Sequence, residues 1–240
     1  MTTDDRPVIL VVGDSFTAGQ GCSDRDTTIY DFPMLPSEFA WSALLAKDYP
    51  GYNVINLAKP GASNTNISNQ VYEYVNSRLN KKPNLVLFCG SWDNRILIQS
   101  DPLTAPSFGN VTNVTDWVMP AKIPVQSKDY ATAKEMFLKY LYVSDFFASV
   151  SLLSIWSIYG LCKNLDINFA WSYPAGENAN NNGYLGQLEF CKYEAISDWI
   201  VASRQGKNKI YEASDGHANN LGHMCYYDAI IKKLLVNQKI

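Results

Sequence analysis

The strongest constraint in this chain is the run Val8-Ile9-Leu10-Val11-Val12, five apolar residues without a break, closed by Gly13. A short, unbroken apolar run that ends at a turn residue reads as a β-strand buried on both faces. Strands of that kind belong to open α/β sheets, whose chemistry sits at the carboxyl ends of the strands. Asp14 and Ser15 follow Gly13 directly. Ser15 therefore stands where such a fold would put a nucleophile. Taken alone, Gly13-Asp14-Ser15 reads more readily as a simple turn.

The rest of the chain alternates strand and helix signals. Ser37 is positioned to cap a helix from about Glu38 to Lys47, with Phe39, Leu44 and Leu45 on its apolar side. Asn53 to Leu57 is a weaker strand, closed by the turn Ala58-Lys59-Pro60-Gly61. Ile67, Val71, Tyr74 and Val75 recur at helical spacing in a helix from Asn64 to about Leu79. Leu85 to Cys89 is a second strongly apolar strand, ended by Gly90. Four prolines between Ser100 and Ser127 exclude a long helix there, so an irregular insertion is expected at about 100–128. Asp129 to Cys162 reads as helical, Ile167 to Trp171 as a fourth strand, and Leu188 to about Ala202 as a helix. Lys209 to Tyr211 reads as a short fifth strand, and Asn219 or Asn220 as the cap of a final helix through Leu235. Alternation of this kind predicts a three-layer α/β/α sandwich around a parallel sheet. Length fits one domain spanning 1–240, large enough to bury a core without staples.

Composition removes several classes of function. A hydrophobic share of 47% with 18% charged residues rules against disorder. A net charge of −3 without a basic run gives nucleic acid no surface to bind. The five cysteines are scattered and form no C-x-x-C, so buried free thiols are expected rather than disulfides or a metal site. Residues Met1 to Arg6 are polar, which gives no secretory pattern and points to a cytoplasmic or, alternatively, virion-associated protein. Sequons at Asn66, Asn110 and Asn113 carry no weight in such a chain. Tyr140 to Cys162 is long enough to span a bilayer, but Asp145 and four serines argue for a helix covered on most sides by protein.

The chain has two histidines, both in the stretch Asp215-Gly216-His217-Ala218-Asn219-Asn220-Leu221-Gly222-His223. If Ser15 acts through an imidazole, the base is one of them. His217 lies on a loop ahead of a capped helix and can face a site. His223 falls inside that helix, where a core or solvated role is more common.

Together, Gly13-Asp14-Ser15 and the Asp215–His223 block resemble the SGNH (GDSL-type) hydrolase family. The resemblance implies a flavodoxin-like five-stranded sheet of order 2-1-3-4-5 and a serine esterase working through an acyl-enzyme. It implies Ser15 as nucleophile, His217 as base and Asp215 as the group that orients it. The family has this Asp three residues before the His; here that place is held by Ser214. Oxyanion donors would be the backbone N–H groups of Ser15 and Gly61. The family's third block, Gly-x-Asn-Asp, departs here to Gly90-Ser91-Trp92-Asp93-Asn94-Arg95. Trp92 stands at the Asn position, leaving Asn94 as the candidate side-chain donor. Asp14, Trp92 and Asn64 are candidate substrate contacts. No metal or cofactor is implied.

The expected substrate is a short acyl ester, with O-acetylated glycan as the candidate class. The competing reading is a non-catalytic SGNH-fold protein that binds glycan or serves virion assembly, its third block having drifted.

Overall fold

The structure is a computed structural model. It describes residues 5–25, 35–92, 95–98, 110–113, 136, 139–140, 143–174, 191–204 and 209–237.

The main sheet is parallel and five-stranded. Its strands are β1 (Val8–Val12), β2 (Asn53–Asn56), β3 (Pro83–Cys89), β6 (Asn168–Ser172) and β7 (Cys191–Tyr193), in the spatial order β2-β1-β3-β6-β7. Counted along the sheet, this is the order 2-1-3-4-5 expected from the sequence. The remaining strands, β4 (Arg95–Ile98) and β5 (Asn110–Asn113), pair antiparallel as a separate ribbon. Strand β1 lies between β2 and β3 and is buried along its whole length, which is why its five residues are all apolar. Alternate side chains go to opposite faces. Val8, Leu10 and Val12 join Val86, Phe88, Phe169 and Trp171 on one side. Ile9 and Val11 join Leu85, Leu87 and Ala170 on the other.

Helices cover both faces. On the first lie α3 (Asn64–Asn76) and α4 (Ser144–Asn164), contributing Ile67, Val71, Ile155, Ile158 and Cys162. On the second lie α2 (Trp41–Asp48), α5 (Ile196–Arg204), α6 (Asn220–Tyr226) and the turn Tyr227–Ile231, contributing Trp41, Leu45, Ile200, Tyr226 and Ile231. The short α1 (Ser15–Ala18) follows β1 directly, and α7 (Lys232–Asn237) closes the described chain.

Several sequence expectations need correction. The fifth strand is Cys191–Tyr193, inside the stretch expected to be helical, and the helix starts only at Ile196. Lys209–Tyr211, expected as that strand, is a single 3₁₀ turn. Helix α2 starts at Trp41, not at Glu38, and Ser37 does not cap it. The Ser37 hydroxyl instead accepts from Phe39 N–H and donates to Asp24. Residues 110–113 of the expected irregular insertion form β5; the rest of 100–128 lies outside the described residues.

Helix α4 is long and apolar enough to cross a membrane by length and composition alone. It is not covered on most sides as expected. Ile155, Ile158 and Cys162 are buried, whereas Phe146 and Leu153 on the far face are exposed. Its seam with α3 is polar. Asn64 Nδ2 donates to Ser151 Oγ at 2.6 Å, Ser68 Oγ donates to the Ser154 carbonyl at 3.0 Å, and the Thr65 and Ser154 hydroxyls meet at 3.2 Å.

His223 is fully buried, as a core residue of α6. Its Nδ1 accepts from Trp41 N–H at 3.3 Å, and its Nε2 has no hydrogen-bond partner among the described residues. Burial, with the neighbouring His217, pushes its pKa down to about 3. The folded state therefore takes up this proton far later than the unfolded chain does, and stability is lost as pH falls below about 6.5. Urea unfolding between pH 7 and pH 5 should show a wild-type loss approaching ~1.4 kcal/mol per pH unit from this one group. His223→Asn should lack that component, so the difference between the two proteins should narrow as pH falls.

A second expectation concerns Asn64, whose side chain also accepts from Ser91 N–H at 2.7 Å and donates to the Ser91 carbonyl at 2.8 Å. Asn64→Ala would strand both buried groups of Ser91 and should cost about 2–4 kcal/mol in chemical denaturation.

Candidate active site

The site is built where β1 and β3 end. Gly13 is held from outside the sheet. Its N–H donates to Gln70 Oε1 at 3.2 Å, and its carbonyl accepts from Gln70 Nε2 at 3.2 Å and from Lys59 N–H at 3.1 Å. A buried side-chain amide on α3 thus completes the backbone bonding where the strand runs out. The chain then turns into α1. Asp14 is its N-cap, its Oδ1 accepting from Phe16 N–H at 3.0 Å, and Ser15 is the first residue of the helix.

The Asp14 carboxylate is almost wholly buried and fully engaged. Its Oδ2 accepts from Arg95 Nη1 at 2.6 Å and from Ser91 Oγ at 3.0 Å; Arg95 Nη1 also lies 2.9 Å from Ser91 Oγ. Asp14 is therefore the structural pin of the turn, and the substrate contact expected for it is not available. The same correction applies to Asn64, which is fully buried with both ends of its amide taken.

His217 comes from the other end of the chain. Residues 212–218 form a tight loop, closed by a bridge between Glu212 and Ala218 and by Ala213 N–H donating to the His217 carbonyl at 2.8 Å. Gly216 turns the chain at φ +85°, a conformation that favours glycine. The loop places His217 Nε2 2.9 Å from Ser15 Oγ. Gly21, at φ +96°, lets the nucleophile loop pass against it: a Cβ there would stand 2.8 Å from that of His217.

Asp215 lies on the opposite side of the imidazole. Its Oδ2 is 3.1 Å from His217 Nδ1, close enough for an ion pair but without the alignment of a hydrogen bond. The reason is local. The other oxygen, Oδ1, accepts from the His217 backbone N–H at 3.1 Å, so the carboxylate is tied into its own turn. This Asp stands two residues before the His, so one carboxylate meets both the backbone and the ring of the same residue.

Phe16 packs on the His217 ring with centroids 4.6 Å apart. The Trp92 ring meets Phe16 edge-on at 5.4 Å, and the Arg95 guanidinium stacks 4.7 Å over Trp92. Trp92 thus forms a wall two side chains from the imidazole. The amides expected as donors, Ser15 N–H and Gly61 N–H, make no hydrogen bond with any described residue. Gly61 sits at φ +76° in the turn after β2, which Lys59 ties to Gly13. Asn94 lies outside the described residues. No group of three or more His, Cys, Asp or Glu among the described residues could hold a metal ion.

Sequence reasoning missed Gln70, Ser91 and Arg95. The first two left no signal, because their partners are distant in sequence. Arg95 left a faint one: a buried acid beside the nucleophile requires a nearby cation.

A hydroxyl at hydrogen-bond distance from an imidazole, with a carboxylate behind it and the Ser15 and Gly61 amides unbonded among the described residues, is the set of groups that serine–histidine acyl transfer requires. Comparison with known proteins narrows this. Residues 9–91 match the family model described as GDSL-like lipase/acylhydrolase. Among solved structures, the psychrotrophic esterase EstA from Pseudoalteromonas, in a form inhibited by monoethylphosphonate, is similar at 14% identity and a TM-score of 0.52. That likeness covers 95% of this chain and 98% of the esterase. A protein assigned to the G-D-S-L lipolytic family from Desulfitobacterium hafniense gives 11% identity and a TM-score of 0.52, over 93% of this chain and 97% of that one. An extracellular lipase from Streptomyces rimosus gives 12% identity and a TM-score of 0.50, over 90% and 94%. By sequence alone the chain matches no curated protein. Fold and family model together bear out the resemblance to the SGNH (GDSL-type) hydrolases.

His217 has a pKa lowered below 6.5, chiefly by burial, with Asp215 and Asp14 acting to raise it and Arg95 to lower it. With two imidazoles in the chain, NMR titration resolves them. His217 should titrate below 6.5, and Asp215→Asn should move it lower still, because a carboxylate that favours the imidazolium has been removed. An upward shift in that variant would show that Asp215 does not face the ring in solution.

Proposed function

We propose that this chain is a serine ester hydrolase that cleaves short acyl esters through an acyl-enzyme. The observation that carries this reading is the 2.9 Å contact between Ser15 Oγ and His217 Nε2. The low pKa of His217 keeps the imidazole neutral at pH 7, as a general base must be.

In the reaction, His217 Nε2 takes the Ser15 hydroxyl proton as Oγ bonds to the ester carbonyl carbon. The carbonyl π electrons move to oxygen, and that oxyanion is met by the Ser15 and Gly61 N–H groups. On collapse the bond to the leaving alcohol breaks, and His217 returns its proton to the alcohol oxygen. A water then repeats the sequence on the acyl-enzyme, releasing the acid and restoring Ser15. Asp215 supports the imidazolium formed in each half. Its unaligned contact implies more of a charge effect than a steering one.

The acyl side should be narrow. Phe16 and Trp92 form an aromatic wall beside a nucleophile that is itself only 3% exposed. This favours acetyl over long acyl chains. O-acetylated glycan is the substrate class proposed on that basis. The Asn/Gly-rich loop at 178–186, which would give a polar rim for a sugar, lies outside the described residues.

The test is turnover of p-nitrophenyl esters of increasing acyl length, with Ser15→Ala as control. Acetyl ester should be hydrolysed, the variant should lose all activity above background, and a fluorophosphonate probe should label Ser15. Faster turnover of long-chain esters would overturn the narrow pocket while keeping the hydrolase. Neither turnover nor labelling would favour the non-catalytic protein, whose third block has lost its Asn to Trp92.

A further inference from the structure

The catalytic reading leaves the oxyanion with two backbone donors, because Trp92 holds the place of the expected Asn. The structure supplies a cation on the residue that precedes the nucleophile. Arg95 begins β4, just past the end of β3, and its side chain is 14% exposed. Its guanidinium is fixed on two sides by the nucleophile turn. Nη1 bonds Asp14 Oδ2, one residue before Ser15, and the guanidinium stacks on Trp92, which touches Phe16, one residue after it.

A guanidinium is a planar fork of five N–H donors in fixed directions. Once Nη1 is seated on Asp14 and Ser91, the directions of Nη2 and Nε are set as well. Neither makes a hydrogen bond with a described residue, and the side chain is 14% exposed. The nucleophile turn therefore carries a pre-oriented, always-charged fork whose Nη2 and Nε are unbonded among the described residues, tied to the residue before Ser15.

Resting on the hydrolase reading above, we propose that Arg95 is the third oxyanion donor of this site, taking the role of the missing Asn through its free guanidinium N–H groups. Asp14 then has two functions. It caps α1, and it takes one of the guanidinium N–H groups; Ser91 Oγ and the Trp92 ring hold Arg95 as well, so the fork keeps its seat when Asp14 is replaced by Asn.

The opposing explanation is purely structural: Arg95 only balances the buried charge of Asp14. Four proteins separate the two: wild type, Arg95→Met, Asp14→Asn, and the double variant Asp14→Asn/Arg95→Met. Asn caps a helix as well as Asp does, so the turn into α1 is retained. The double variant holds no uncompensated carboxylate, so it decides the matter even if Arg95→Met alone fails to fold. With p-nitrophenyl acetate, a donor role predicts that kcat of the double variant lies on the order of a hundred-fold below that of Asp14→Asn, with KM changed by less than about threefold. A double variant as fast as Asp14→Asn would overturn the proposal and leave Arg95 a counter-ion. Absence of Ser15-dependent turnover in the wild type would instead sink the hydrolase reading, and Arg95's role with it. Turnover in the wild type together with an unaffected double variant fails Arg95 alone.

Discussion

The site depends on the compensation of one buried charge. Asp14 is carried into the interior by β1, where a carboxylate needs polar partners. It is kept by three groups from three segments: the Phe16 amide of its own turn, the Ser91 hydroxyl at the end of β3, and the Arg95 guanidinium at the start of β4. Each contact also does positional work. The amide bond fixes the first turn of α1 and so the direction of Ser15. The hydroxyl and guanidinium pull the segment after β3 against that turn, bringing Trp92 beside Phe16. Asn64 extends the arrangement by gripping the Ser91 backbone on both sides. Geometry at the nucleophile is thereby set by α3 and β3 as much as by β1.

The base is organised on different terms. Its loop is secured mostly by its own backbone, through the Glu212–Ala218 bridge and the Gly216 turn. The contact with Ser15 joins two separately bonded segments, one from each end of the chain. Phe16 is the packing element between them, its ring lying on the imidazole. Asp215 belongs wholly to the second segment, which explains why one carboxylate serves both the backbone and the ring and aligns with the ring imperfectly.

The parts of this arrangement visible in the sequence are those written in local patterns. The apolar runs of β1 and β3 are unmistakable because both are buried on two faces. Ser15 and His217 could be paired because there were only two histidines to choose from, and His223 sat inside a helical pattern. Strand β7 was missed because only three residues pair, too few to display a period, and they stand directly before a helix whose apolar residues dominate the window. Lys209–Tyr211 has β-like composition but no neighbouring strand to receive it. Gln70, Asn64 and Arg95 were opaque for a different reason. Each is a polar residue whose partner lies 27 to 81 positions away, and even where a partner is called for, as with Arg95, local pattern does not say which residue it is.

The ends of the sheet have a consequence for how this protein behaves in a crowd. Its two border strands are β2, with four residues, and β7, with three. A border strand carries backbone donors and acceptors on its open side, and a long flat one is a template for another chain to add to. Here each border offers little more than one repeat of the ladder. The long, strongly apolar strands that would be dangerous in that position, β1 and β3, are both enclosed by neighbours on either side. The ordering of the strands thus places the stickiest segments of the polypeptide where no second molecule can reach them.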